Sequence, residues 1–488
     1  MFLRSALFAL VLLVFSCRVS ASASANFGIP TAASSHFYEI ETALDRYVQA
    51  PDAAFTYDLV EKEEAAEYMR LTFNMTSQRW LSSAQVSRSL WFHTVHVIVP
   101  RKPSNGTLAL LGLDDGNNAQ ASVMIPVQPI AVNAAVLTGA IVIDVKQLPN
   151  EPIIFANDPT QKARTEDDII AYSWHQYMET LDPEWIAFLP MVKAAVKAMD
   201  MVQEVLPTYS TATVPSEFFV LGWSKRAWAT WLTAAVDKRV AGIAPTVIDV
   251  LRMRPSFEHI YESYGFWPPA LHDYVNDNVT RDLYTEQFSL LERIVDPISY
   301  RDRLTMPKFL VDSSGDQFFP PDTITVGYDS LIGPTYYRSV PNENHFMIHS
   351  DGVWNAVRFF QSMVEEQAFP QLTWDIQYSA DGLQASIVAK VSGDLLPQEA
   401  RLWQATNDTS RDFRLGIGPL YSTRALLPSP VAGRRLWTVD MSAPPAGFTA
   451  FYIELSFGHV RYSTHVAVLP HAMPFSKPPN DPDIAPLV

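Results

Sequence analysis

Glu217-Phe218-Phe219-Val220-Leu221-Gly222-Trp223-Ser224-Lys225-Arg226 decides how this chain is read. An apolar run meets a glycine and then a serine. The residues that follow are apolar at helical spacing: Ala227, Trp228, Trp231, Leu232 and Ala235. Strand, sharp turn and helix in that order make a nucleophile elbow, which lifts a serine hydroxyl above a sheet. Gly222 suits the turn because backbone segments approach there too closely for a Cβ. Arg226 departs from the pattern, since a small residue usually stands two places after the serine. The pentapeptide alone is also compatible with a plain N-cap serine.

Two later segments extend the reading. Ser313-Ser314-Gly315-Asp316 follows a second apolar strand, and Pro341-Asn342-Glu343-Asn344-His345 follows a third. Serine, acid and histidine in that order along the chain is the arrangement of an α/β-hydrolase. Ser224 is then the candidate nucleophile, His345 the general base and Asp316 the acid that orients the imidazole. Asp312 competes for the acid role, but it falls inside its strand, whereas Asp316 lies in the loop after Gly315. Lys225 and Gly116 are candidate oxyanion donors through their backbone N–H groups. Asp249, at a strand end, reads as a site residue or a helix cap, with the cap preferred. His93 and His96 lie three apart on a strand and face opposite sides, so they do not share an ion. His259 and His272 read as structural. No spacing in the chain calls for a metal or a cofactor.

Composition narrows the function. The 488 residues are 48% apolar and 12% aromatic, enough for a large core in two or three domains. A net charge of −16, with no basic cluster, excludes nucleic-acid binding. Arg4, the apolar run from Ala6 to Phe15 and the small residues Ala21-Ser22-Ala23-Ser24-Ala25 form an export signal over 1–25. That run is too short to span a bilayer. The expected product is secreted, or periplasmic in a bacterium. The only cysteine, Cys17, lies within the signal. A eukaryotic host would make Asn74, Asn105, Asn278 and Asn407 glycosylation sites.

The periodicity divides the rest. Residues 26–90 are mixed and polar and read as an N-terminal cap or extension. From 91 to 368 apolar strands alternate with helices (strands near 94–99, 108–113, 140–145, 217–223, 240–248, 308–313 and 335–340), which predicts a mostly parallel sheet covered on both faces. An aromatic-rich insertion over about 250–305 sits where hydrolases carry a lid. Residues 369–473 break into short strands and predict an immunoglobulin-like β-sandwich with Trp403, Phe413 and Trp437 in its core. A proline-rich tail spans 474–488.

Several segments together resemble the PhoPQ-activated pathogenicity-related proteins. They include Leu148-Pro149-Asn150-Glu151-Pro152, Glu166-Asp167 with Ala171-Tyr172-Ser173-Trp174, Gly222-Trp223-Ser224-Lys225-Arg226, Val247-Ile248-Asp249-Val250-Leu251, Gly315-Asp316-Gln317-Phe318-Phe319 and Leu402-Trp403-Gln404-Ala405-Thr406-Asn407. The likeness covers about 90–470, and Lys-Arg after the elbow serine is that family's own pattern. It implies an α/β-hydrolase with a C-terminal β-domain and a secreted protein, but no particular substrate. One departure stands out. Where the family tends to carry a glycine pair after the strand 108–113, this chain reads Asp114-Asp115-Gly116-Asn117-Asn118. A carboxylate beside a developing oxyanion would oppose its stabilisation. Two function classes follow: a serine esterase or peptidase acting on a small ester or peptide, and a signalling protein that represses proliferation through a cell-surface receptor.

Overall fold

Alternating apolar residues build the central sheet by presenting one set of side chains to each face. In the computed structural model, which describes residues 41–118, 124–429 and 435–479, nine strands form one sheet. They are β1 (Thr56–Glu64), β2 (Tyr68–Arg79), β3 (Leu90–Pro100), β4 (Leu108–Leu113), β5 (Val142–Val145), β6 (Glu217–Trp223), β7 (Val240–Thr246), β8 (Lys308–Ser313) and β9 (Thr335–Val340). Their spatial order is β1-β2-β3-β5-β4-β6-β7-β8-β9. The run from β5 through β4 and β6 to β9 is parallel, and β1, β2 and β3 add antiparallel at one edge. Chain order reverses around β4 and β5, the exchange that marks the α/β-hydrolase fold.

Register shows the two-sided burial. Leu110, Val142 and Phe219 stand side by side on one face, and Leu111, Ile143 and Val220 on the other. The first set packs beneath α2 (Pro129–Thr138) and α9 (Gly352–Val364). Their neighbours pack against α3 (Asp167–Thr180), α4 (Phe188–Tyr209) and α5 (Lys225–Val236), with α1 (Ala43–Gln49) at the rim. Every residue of α5 is buried, as a helix apolar nearly all round must be. Between β7 and β8 the aromatic insertion folds as α6 (Met253–Tyr264), α7 (His272–Asn276) and α8 (Glu286–Val295).

From residue 41 to 90 the chain extends the central sheet and forms no separate cap. The described part supplies α1, β1 and β2, and both strands belong to the central sheet. β1 is an edge strand with little buried surface, so its acidic sequence carries no apolar alternation to read.

The C-terminal strands are β10 (Gln371–Tyr378), β11 (Gln384–Ser392), β12 (Glu399–Asn407), β13 (Ser422–Ala425), β14 (Leu436–Ser442), β15 (Phe448–Phe457), β16 (Val460–Ser463) and β17 (Ala467–Leu469). A β10-β11-β14 sheet faces a β13-β12-β15-β16 sheet, with β17 also on β15, the immunoglobulin-like arrangement. Ile387, Leu402, Trp437, Phe451 and Ile453 share the core between them. Phe413 is buried in an adjoining cluster, and Trp403 packs partly buried against it.

The sandwich is tied closely to the α/β body. Arg411 donates to Asp322 at 2.5 Å and to Ser263 at 2.7 Å. Ser339 N–H donates to Ser463 Oγ at 2.9 Å. The described residues cluster as one unit. The segment read as an export signal, with Cys17, and the end of the proline-rich tail lie outside the described residues.

Candidate active site

The serine at the end of β6 is held in a conformation that an ordinary residue avoids. Ser224 has φ 54° and ψ −126°, a sparsely populated region that persists only where the surroundings impose it. Behind it, a Cβ on Gly222 would meet Arg226 O at 2.4 Å and Thr230 Oγ1 at 2.6 Å. Ser224 N–H donates to Thr246 O at 2.9 Å, which ties the turn to the neighbouring strand. The unusual Arg226 is accommodated because only its backbone approaches Gly222. Its guanidinium is bonded to Leu148 O and to the Glu166 carboxylate.

His345 Nε2 lies 2.8 Å from Ser224 Oγ, and His345 Nδ1 lies 2.7 Å from Asp316 Oδ2. All three side chains are buried, and they come from the loops after β6, β8 and β9. Each partner has its own support. Phe318 N–H donates to Asp316 Oδ1 at 2.7 Å, and Phe318 packs on the imidazole with centroids 4.4 Å apart. Trp223 Nε1 donates to His345 O at 3.0 Å. The sandwich braces the same loops: Leu415 N–H donates to Gly315 O, and Asn342 exchanges hydrogen bonds with Tyr421 at 2.9 and 2.6 Å. Asp312 makes no bond to His345 and stays within β8.

The cavity at Ser224 is small, about 30 Å³. Its walls are mainly apolar, with Trp228, Ile248, Phe257, Leu271, Phe318 and Phe319 prominent, and the insertion helices form one side. Asp167, Lys225 and Asp249 are ionisable residues in its wall. Lys225 is the first residue of α5, so its N–H has no acceptor within the helix and is free to donate to an oxyanion. Gly116 is not in the wall of this cavity. It has φ +141° and packs tightly on Ile125 and Gln147. The acidic loop is occupied elsewhere as well: Asp114 is paired with buried Lys146 and accepts from Asp115 N–H at 2.8 Å.

Asp249 does not cap a helix. The first N–H groups of α6 are bonded by Asp296, to Met253 at 2.8 Å and to Arg252 at 3.3 Å, an acid 43 residues downstream of Met253 that local reading does not find. Asp249 instead faces Asp312, both buried, and each carries an oxygen without a hydrogen-bond partner. Burial, and then the charge of Asp312, pushes the Asp249 carboxyl far above its usual range. Burial and Asp316 raise Asp312 to about 7. Burial and the charge of Glu166 raise Glu151 to about 7.

Those shifts set a pH dependence. Carboxyls with an unfolded pKa of about 4 that hold their protons to about 7 when folded stabilise the protein fully at low pH, and the contribution is lost as pH rises through that window. The melting temperature is expected to fall between about pH 4 and pH 7 at constant ionic strength, and Asp249→Asn, which breaks the like pair, to flatten the fall. A flat wild-type profile would contradict the buried acid pair.

His93 and His96 keep separate partners: Ser77 and Lys146 O for the first, Thr72 and Ile125 O for the second. His259 is held by Asp322 at 3.1 Å, and His272 is exposed. Among the described residues no group of three or more His, Cys, Asp or Glu could hold a metal ion, and no helix is long and apolar enough to cross a membrane. Asn74 and Asn105 are exposed and Asn278 half-buried. Asn407 is buried, and its Nδ2 donates to Asp412 O at 2.7 Å, so the folded chain has no room for a glycan there. That removes it from the candidate sites.

The sequence model of the PhoPQ-activated pathogenicity-related proteins matches residues 44–414. This chain belongs to that family. Autocrine proliferation repressor protein A of Dictyostelium discoideum, a curated relative, is 34% identical over 459 residues, covering 89% of this chain and 92% of its own. Among solved structures, acetyl xylan esterase 1 from a Thermoanaerobacterium species aligns with a TM-score of 0.46 at 13% identity, over 66% of this chain and 92% of its own. A glucuronoyl esterase from Solibacter usitatus aligns at 0.37 and 12% identity, over 67% and 91%.

Proposed function

We propose that the protein is an exported serine hydrolase of esterase or peptidase type. The observation that carries this reading is the unbroken hydrogen-bonded row Ser224–His345–Asp316 beside an apolar cavity. With Nδ1–H donated to Asp316, His345 Nε2 accepts the Ser224 proton as Oγ attacks a carbonyl carbon. The tetrahedral oxyanion takes a hydrogen bond from Lys225 N–H. His345 then returns the proton to the leaving alcohol or amine, and water, activated the same way, clears the acyl-enzyme. No cofactor enters these steps. The substrate is a small ester or peptide.

The name of the Dictyostelium relative favours a second reading: a secreted repressor of proliferation that acts through a receptor and does not need turnover. One experiment addresses both. Culture medium and cell lysate from the natural host are treated with a fluorophosphonate probe. Labelled protein in the medium, with the probe on Ser224 and an N-terminus near Ser24 or Asn26, supports the exported hydrolase. Folded protein that no probe labels and that turns over no ester or peptide sinks the enzyme reading. If Ser224→Ala then still represses proliferation, the receptor reading takes its place.

A further inference from the structure

We propose that Glu166 is the positioning residue of the nucleophile turn, a role that rests on the serine-hydrolase reading. Two adjacent cations open α5, at Lys225 and Arg226, where the helix dipole disfavours positive charge. Left alone they would work against the turn that presents Ser224. Glu166 answers both. Its Oε2 takes Lys225 Nζ at 2.6 Å and an Arg226 terminal nitrogen at 2.8 Å, and its Oε1 takes the other at 2.5 Å. Asp167 adds a second contact to Lys225 Nζ at 3.0 Å.

The anchor is itself anchored. Glu166 stands at φ 54° and ψ −130°, nearly the dihedrals of Ser224. Its N–H donates to Glu151 Oε2 at 2.6 Å. The Arg226 Nε bond to Leu148 O closes the link from the other side, so the loop after β5, the start of α3 and the start of α5 form one bonded unit. Burial alone would raise the Glu166 carboxyl, but Lys225 and Arg226 outweigh it and lower it to about 2, so it is charged throughout the working range. Glu166 does not line the cavity, whereas Lys225 and Ser224 do. It acts on the reacting atoms through them, holding the Lys225 N–H and Ser224 Oγ in register. In this fold a charged clamp replaces the small-residue contact that usually tightens an elbow.

The test is Glu166→Gln, which keeps the shape and removes the charge. The fluorophosphonate labelling rate of Ser224 and kcat are expected to fall together by about 10²-fold with KM changed by less than about threefold, as for a misplacement of about 1 Å. Arg226→Gln should reproduce part of the loss, and the double variant should be no worse than Glu166→Gln alone. Each variant is measured as folded protein, checked by circular dichroism. If Glu166→Gln does not fold, Arg226→Gln carries the same split between kcat and KM. Folded variants labelled at the wild-type rate would overturn the inference and leave the hydrolase reading intact. Wild type that no probe labels would instead overturn the hydrolase reading itself.

Discussion

Replacing Ser224 or His345 by alanine is expected to lower ester turnover by about 10⁴-fold or more, with the double variant little worse than either single one. The reason is geometric. On the proposed hydrolase reading, the Ser224 hydroxyl has its proton acceptor, His345 Nε2, at 2.8 Å, and Asp316 at 2.7 Å orients that imidazole. Removal of one member leaves the others without a partner in the step. Asp316→Asn is expected to be impaired nearly as much, because an amide can donate to Nδ1 and stabilise the wrong tautomer. Turnover and probe labelling are measured on protein shown to be folded. Additive losses in the double variant would mean that Ser224 and His345 do not act as a unit. Asp312→Asn, by contrast, should retain most activity, since Asp312 makes no bond to His345.

The second large effect belongs to Gly222. A methyl group there would lie 2.4 Å from Arg226 O and 2.5 Å from its carbonyl carbon, both backbone atoms in a helix buried on all sides. Neither can swing aside as a side chain would. Gly222→Ala is expected to cost about 3 kcal/mol or more, at the upper end of overpacking effects, and to abolish labelling of Ser224 even where some folded protein remains. Urea denaturation compared with wild type gives the stability, and the probe reports the site. A variant of unchanged midpoint that still labels would show that the turn relaxes, and the close-packed elbow would be wrong.

Much of the site was legible because its members obey local rules. Each follows an apolar strand, and strand ends are where such a sheet places functional side chains. The elbow glycine and the chain order of Ser224, Asp316 and His345 needed no knowledge of the fold. The missed features have the opposite character. β1 is acidic because an edge strand buries little, so no alternation announces it. Glu166 and Asp249 look like ordinary acids at element ends. What distinguishes them is a partner far along the chain, Arg226 for the first and Asp312 for the second. Asp296 capping α6 is a third case, and it displaced the local reading of Asp249 as a cap.

Local sequence by itself determined the parallel sheet, the place of the aromatic insertion, the C-terminal sandwich and the three candidate residues at the strand ends, because hydrophobic period and turn chemistry act over a few residues. Tertiary structure alone decided where the charges of Lys225 and Arg226 are neutralised, why the Asp114 loop is paired away from the cavity, that Asp249 faces Asp312, and that the sandwich braces the loops of Asp316 and His345. Those outcomes depend on which side chains folding brings within about 3 Å, the reach of a hydrogen bond, and separation along the chain does not encode that distance.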